Sequence, residues 1–407
     1  MSSDWKESTL GEFVRLQRGH DLTASEQKPG IVPVMGSAGQ NGTHNQAKVS
    51  GPGLVIGRSG ASIGRVHFSD IDFWPHNTCL YVTNFFGNNP RFAYYVLQTL
   101  NLASFNSGSA QPSLNRNYIY SIKLQAPPRS EQNKIVELLQ GLDDRIALLR
   151  ETNATLEAIA QAMFKSWFVD FDPVHAKAEG REPEGMDAAT AALFPDIFEE
   201  SEQRLVPTGW LFEALGSVAE IARTQIQPEA MTSDTLYVGL EHIPRKSIGL
   251  DRWGTAEELE SAKSCFNKGD ILFGKLRPYF HKVIIAPFPG ICSTDILVCK
   301  PKIIEYHGFV TMHLFSSELV AYADRLSNGA KMPRVNWKDL AAYELVTPPV
   351  ALAVAFDEVV QPMFEKIIAN ILKAQTLATL RDTLLPHLIS GQLRLPDADA
   401  IIEEAAA

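Results

Sequence analysis

After Pro127-Pro128 the chain changes from short mixed runs to a long helical repeat. Ile135, Leu138, Leu142, Leu149, Leu156, Ile159 and Met163 fall on alternating steps of three and four, with Arg145 and Thr152 as polar exceptions. The same spacing returns 221 residues later at Phe356, Val359, Met363, Lys366, Asn370, Lys373, Leu377, Leu380 and Leu384. Such spacing lines one face of a helix with apolar side chains. Two seams of this kind in one chain predict an antiparallel intramolecular coiled coil, with core helices of a bundle as the alternative. A helix from about Glu131 to Val169 would be roughly 55–60 Å long.

Each seam is preceded by a stretch of different character. Short apolar runs (IVPV, GLVIG and CLYVT in the first, TLYVGL, DILFG and DILVCK in the second) alternate with Gly, Pro and Asn punctuation. These predict strands and turns. One helix is expected in each stretch, at Arg91–Leu100 and Gly308–Ser317. The result is an α+β fold in which each mixed domain is large enough to bury a core.

The two halves are copies. Gly108, Pro112 and Asn115 in SGSAQPSLN match Gly329, Pro333 and Asn336 in SNGAKMPRVN, all offset by 221. Pro127-Pro128 and Pro348-Pro349 keep that offset, as do Leu156 and Leu377, and Ile159 and Leu380. Nearer the front of each half the offset varies. It is 205 between Leu10-Gly11 and Leu215-Gly216, 217 between Gly57-Arg58 and Gly274-Lys275, and 216 between Thr78 and Thr294. A shared scaffold with loops of differing length follows. The expected domains are 1–125, a first mixed domain; 126–169, a first spacer helix; and 170–204, an acidic irregular connector. A second mixed domain (205–347), a second spacer helix (348–395) and a flexible tail (396–407) complete the chain, as a pseudo-twofold tandem duplication.

The net charge of −10 counts at first against nucleic acid, because phosphate attracts cations. Most of the acidity lies outside the mixed domains, however. Residues 170–204 carry a net −7 and residues 348–407 a net −4, whereas residues 1–125 carry +3 and 205–347 carry −1. Each mixed domain can therefore present a basic face. An apolar content of 45% with no membrane-length run, and an N-terminus without a secretory pattern, predict a cytoplasmic protein that spans no membrane. Cys79, Cys265, Cys292 and Cys299 show no CxxC spacing and read as reduced thiols, and the scattered histidines predict no metal site.

Catalytic signatures are missing. GRSGASIG at 57–64 resembles a glycine-rich loop, but no GxxxxGK[ST] is present. No GxGxxG follows a strand, which disfavours a nucleotide-type cofactor fold. Asp170-Phe171-Asp172-Pro173 lacks the second proline and the stacking aromatic of an adenine-methyltransferase tetrapeptide. No catalytic residues are assigned.

The duplicated plan resembles the specificity subunits of Type I restriction–modification systems over essentially the whole chain. The resemblance rests on SGSAQPSLN and SNGAKMPRVN, on PPRSEQNKIVELL, and on the helix end MFKSWFVDFDPVHAKAEG; LGE and GRSGASIGRV lie in the expected order. The second half departs from it: VALAVAFDEVV lacks the EQ pair, and FGKLRPYFHKV replaces the GRxGxxG loop. The resemblance implies two target-recognition domains held apart by two long antiparallel helices and reading the halves of a split double-stranded DNA site. It implies a non-enzymatic chain that holds two methyltransferase subunits, which act on adenine N6, and motor-nuclease subunits in the restriction complex. No cofactor is expected in this chain; S-adenosylmethionine, ATP and Mg belong on those partners. A recognition chain for a fused methyltransferase–nuclease, a DNA-modifying enzyme of another design and a coiled-coil scaffold are the alternatives.

On that reading the DNA contacts come from residue types that bind phosphate or read base edges. In the first domain these are Arg58, Ser59, Ser62, Arg65, Ser109, Gln111 and Asn115. In the second they are Lys275, Arg277, Tyr279, Lys282, Lys331, Arg334 and Asn336. Gly108, Gly329, Pro112 and Pro333 read as turn formers, and Asn115 and Asn336 can equally cap helices.

Overall fold

The structure is a computed structural model that describes residues 5–108, 112–200, 205–257, 259–327, 329 and 332–406. Two compact units make up the chain: residues 1–146 with 376–407, and residues 147–375. Each contains one mixed domain and a portion of both long helices, which run over Arg129–Phe168 and Val350–Ser390.

In the first unit a four-stranded antiparallel sheet has the order Arg15–Arg18, Cys79–Asn84, Gly53–Gly57, Val66–Ser69. The second unit repeats it with Ala219–Ile221, Ile296–Pro301, Ile271–Gly274 and Val283–Ile285. Every residue of Gly53–Gly57 and of Ile271–Gly274 is buried, which is why those strands read as unbroken apolar runs. The expected helices are present as Pro90–Thr99 and His307–Phe315. Beside the main sheet the first domain adds three strands and the second adds five. A further strand pair closes each domain. Lys6–Thr9 pairs with Lys123–Ala126, and Leu211–Ala214 with Glu344–Thr347, in equivalent registers.

The helical seams differ from the expected phase by one residue at every second position. Ile135, Leu142, Leu149 and Leu156 keep their places, but the intervening seam positions are Leu139, Ile146, Asn153 and Ala160. Ile159 is 41% exposed, whereas Ala160 is 1% exposed. The same correction holds 221 residues on, where Val360, Ile367 and Ala374 are buried while Lys366 and Lys373 face solvent. Arg145, assigned to the seam as an exception, is also exposed. Steps of four then three satisfy both helices with fewer polar intrusions than steps of three then four.

One polar pair stays inside. In the second unit Asn370, only 3% exposed, donates from Nδ2 to Asn153 Oδ1 at 2.8 Å, and Asn153 Nδ2 donates to the Ile367 carbonyl at 3.1 Å. Phe164 and Phe168 pack on Phe356 with ring centroids 6.4 and 4.9 Å apart, so the helices run antiparallel there. In the first unit Arg381 Nη1 meets Asp143 Oδ1 at 2.6 Å, and Asp143 Oδ2 accepts from Tyr95 of the sheet-covering helix at 2.7 Å.

Two segments are more ordered than their composition suggested. Residues 170–204 include helices Asp172–Ala178 and Ala188–Ala192 and a strand Phe198–Glu200 that pairs with Leu205–Pro207. Phe171, Val174 and Phe194 are buried in one cluster with Trp167, Phe168 and Trp210, so a few apolar side chains outweigh the acidic background. The expected tail forms a helix over Leu395–Ala406 with Ala398 buried.

Asn153→Ala is expected to cost about 1–3 kcal/mol, because it strands a buried amide on Asn370, whereas Ile159→Ala costs less than about 1 kcal/mol. Urea midpoints of the full-length variants test this. Equal losses would return the seam to the 138/145/152/159 phase.

Candidate nucleic-acid interface

In the first domain the buried strand Gly53–Gly57 opens into the loop 58–65. The loop is closed on itself by Gly57 N–H donating to the Arg65 carbonyl at 2.7 Å and Gly64 N–H to the Gly57 carbonyl at 2.8 Å. It is clamped to the 112–115 segment by main-chain bonds: Leu114 N–H to the Arg58 carbonyl at 2.8 Å, and Gly60 N–H to the Pro112 carbonyl at 3.2 Å. Arg58 N–H donates to the Thr78 carbonyl at 2.9 Å.

The second domain rebuilds all but one of these bonds; the exception is Gly64 to Gly57, since the counterpart His281 N–H donates to the Pro278 carbonyl at 2.8 Å. Gly274 N–H meets the Lys282 carbonyl at 2.8 Å, Val335 N–H the Lys275 carbonyl at 3.1 Å, and Arg277 N–H the Pro333 carbonyl at 2.8 Å. Lys275 N–H donates to the carbonyl of Asp295 at 3.0 Å, so Thr78 corresponds to Asp295 rather than to Thr294. The offset of 217 found at Gly57 therefore runs unbroken through the loop. FGKLRPYFHKV follows the same path as the glycine loop despite its different residues. Even the left-handed positions coincide. Gly60 and Gly64 have φ of 74° and 77°, and their counterparts Arg277 and His281 have φ of 52° and 51°. A side chain at φ near +50° costs about 1–2 kcal/mol, and functional sites are where such strain collects. His281 is held by Nε2 at 2.8 Å from the Phe315 carbonyl.

The frame brings most of the expected contact residues together in each domain. Arg58, Ser59 and Ser62 are half-buried in the first loop and Arg65 is exposed beside them. Ser59 forms a bridge with Ser113, equivalent to that of Leu276 with Arg334. Lys275, Arg277 and Lys282 are half-buried in the second loop, and Tyr279 at its apex is 50% exposed. Ser109, Gln111 and Lys331 lie outside the described residues. Asn115 and Asn336 cap short helices: their Oδ1 atoms accept from the Asn117 and Asp339 amides at 3.0 and 2.9 Å. Arg334 is engaged by Asp295 through both carboxylate oxygens, at 2.8 and 3.1 Å, and this guanidinium holds the Asp295 carboxyl below its usual range. Sequence reasoning missed Ser37, whose Oγ receives the Ser59 amide at 3.4 Å and itself donates to the Thr78 carbonyl. It also missed Asp295, which continuing the 217 offset would have found.

Comparison with known proteins agrees with this duplicated frame. Residues 2–158 match the Type I restriction modification DNA specificity domain. The chain is 25% identical over 321 residues to the MjaIX specificity subunit of Methanocaldococcus jannaschii, covering 75% of this chain and 69% of that one. It is 25% identical over 466 residues to the HindI specificity subunit of Haemophilus influenzae, covering 96% of this chain and all of that one. Residues 2–158 thus match that specificity domain, and the chain is similar over nearly its whole length to a Type I specificity subunit. The crystal structure of a Type I restriction-modification system S subunit from M. genitalium shares this fold, with a TM-score of 0.60, 16% identity and coverage of 95% of this chain and 96% of that one.

Gly64→Ala is expected to lower stability by about 1–2 kcal/mol, since its Cβ would lie 2.6 Å from the Ala103 amide in a left-handed backbone. Arg277→Gly, at an equally left-handed position, should leave the unfolding midpoint within about 1 kcal/mol of wild type. The reverse ordering in urea unfolding would contradict the shared loop conformation.

Proposed function

We propose that this chain is the DNA-recognition subunit of a Type I restriction–modification complex, and that each mixed domain reads one half of a bipartite duplex target. The observation that carries the reading is the pair of matching main-chain frames, each presenting its own set of polar and cationic side chains. A duplicated reader with non-identical loops suits a split, non-palindromic site. The chain supplies recognition, and partner subunits supply the chemistry: two methyltransferase subunits bound along the long helices, acting on adenine N6 with S-adenosylmethionine, and motor-nuclease subunits using ATP and Mg. Base-reading contacts are assigned to the loop residues from Arg58 to Arg65 and from Lys275 to Lys282. Asn115 and Asn336 act on this view by shaping the adjoining turn, and Arg334 by bracing the second loop through Asp295.

Replacing residues 1–125 by the first domain of another family member is expected to change one half of the methylated motif and leave the other intact. Mapping methylated adenines in cells carrying the chimera tests this, and a change in both halves would refute independent reading. Rigorously purified chain is expected to transfer no methyl group from labelled S-adenosylmethionine to DNA until a methyltransferase partner is added. Transfer by the chain alone would refute the division of labour.

A further inference from the structure

The second domain contains a loop with no counterpart in the first. Met35 and Val238 are equivalent, because each is the last residue of a parallel pairing, Met35 with Pro75 and Val238 with Cys292. Gly57 and Gly274 are equivalent as described. Between the first pair and the second lie 21 residues in the first domain and 35 in the second. The shorter stretch carries a single cation, Lys48. The longer one carries five cations and six carboxylates in all, but three of the cations, Arg245, Lys246 and Arg252, fall within eight residues that hold a single acid, Asp251.

The loop bearing these cations is anchored beside the reading loop. Lys246 N–H donates to the His281 carbonyl at 2.9 Å, the Lys282 ammonium bonds to the Leu240 carbonyl, and the Arg245 guanidinium stacks over Phe280 at 3.9 Å from the ring centre. Arg245, Lys246 and Arg252 are exposed, and none joins an ion pair among the described residues. Burial lowers the proton affinity of Lys282, and repulsion from Arg245 and Arg252 lowers it further against the opposing pull of Glu241, so positive charge is crowded at this point. Like charges crowded together cost free energy unless an anion joins them. Arg334, nearby in the same frame, is by contrast already neutralised by Asp295.

We propose that the 239–252 loop is a phosphate clamp for duplex DNA, built into the second domain only and set against its reading loop. This rests on the DNA-recognition reading above and adds to it a division of labour. The second domain anchors the sugar-phosphate backbone through Arg245 and Arg252, while the first relies on fewer cations. The two domains then contribute unequally to sequence-independent affinity even though their frames are alike.

Salt dependence separates this from other roles. Each phosphate contact adds about 0.9 to the slope of log affinity against log salt. Binding of a random-sequence duplex by the full chain, alone and with its methyltransferase partner, is measured across a salt series for wild type and for R245Q/R252Q. The control is K268Q/K302Q. Those exposed lysines flank the far end of the same strands, since Ile271 pairs with Cys299 while Gly274 pairs with Ile296. The expected result is a slope shallower by about 1.8 in R245Q/R252Q and unchanged in the control. A wild-type slope in R245Q/R252Q, or an equal drop in the control, overturns the clamp while leaving DNA recognition standing. Loss of methyltransferase association at unchanged slope would make the loop a protein-docking surface and also overturns it. Failure of wild type to bind any duplex in either form would instead sink the DNA-recognition reading.

Discussion

Main-chain hydrogen bonds are indifferent to the side chain a residue carries, and such bonds set the path of both reading loops. The bonds from the Leu114 and Val335 amides to the Arg58 and Lys275 carbonyls, and from Gly60 and Arg277 to Pro112 and Pro333, set the loop path. Side chains along that path are therefore free to differ. GRSGASIGR and GKLRPYFHK occupy one conformation with four positions in common chemistry at most. A protein whose task is to read different sequences with one scaffold needs this separation of path from surface. The cost appears at Arg277 and His281, where ordinary residues occupy left-handed backbone that glycine fills in the first domain. That the second loop keeps the conformation despite the strain indicates that the frame, rather than local preference, dictates it.

A similar substitution of means occurs where each domain meets its long helix. In the first unit Gln132 is buried and accepts the Asn89 amide at 2.8 Å while donating to Asn88 Oδ1 and to the Pro127 carbonyl. This accounts for the glutamine of PPRSEQ: it satisfies the start of the sheet-covering helix. The second half lacks that glutamine, and Asp357, one turn further along, accepts the Gly308 amide at 2.7 Å instead, steadied by Gln361 at 3.2 Å. Unsatisfied amides at a buried helix start are expensive, so the requirement persists while the residue answering it moves.

Much of this was legible in the sequence because it rests on repetition and on apolar runs. The fully buried strands, the two domain helices, the duplication and the helical seams all left periodic or repeated signals. The seam phase was misread because Leu138 and Ile159 are apolar yet lie beside the true seam, and a seven-residue repeat alone does not choose between steps of three and of four. Asn370 was on the expected seam, but its partner Asn153 lay one place off it, so the pair could not be read as an internal contact. The folding of 170–204 was hidden because composition averages over a segment, whereas Phe171, Val174 and Phe194 act singly. At the interface, sequence located both loops but could not tell which cations were already spent. Arg334 looked as available as Lys275 until Asp295 was seen to hold it in a two-point pair.

That last distinction bears on how a near-neutral domain meets an anionic polymer. Net charge over 205–347 is −1, yet what an approaching phosphate meets is the local set of cations left without carboxylate partners. Pairing Arg334 with Asp295 removes one cation from that set and uses it to stiffen the loop. Arg245 over an aromatic ring keeps its full charge while its position is fixed, because a cation stacked on a ring is oriented without being neutralised. Rigid placement of unneutralised charge limits the side-chain entropy lost when DNA arrives, so the same residue contributes more to binding than a freely moving lysine would. Within one domain, then, two arginines near one loop serve opposite ends: one is consumed to hold the frame, the other is held in readiness for phosphate.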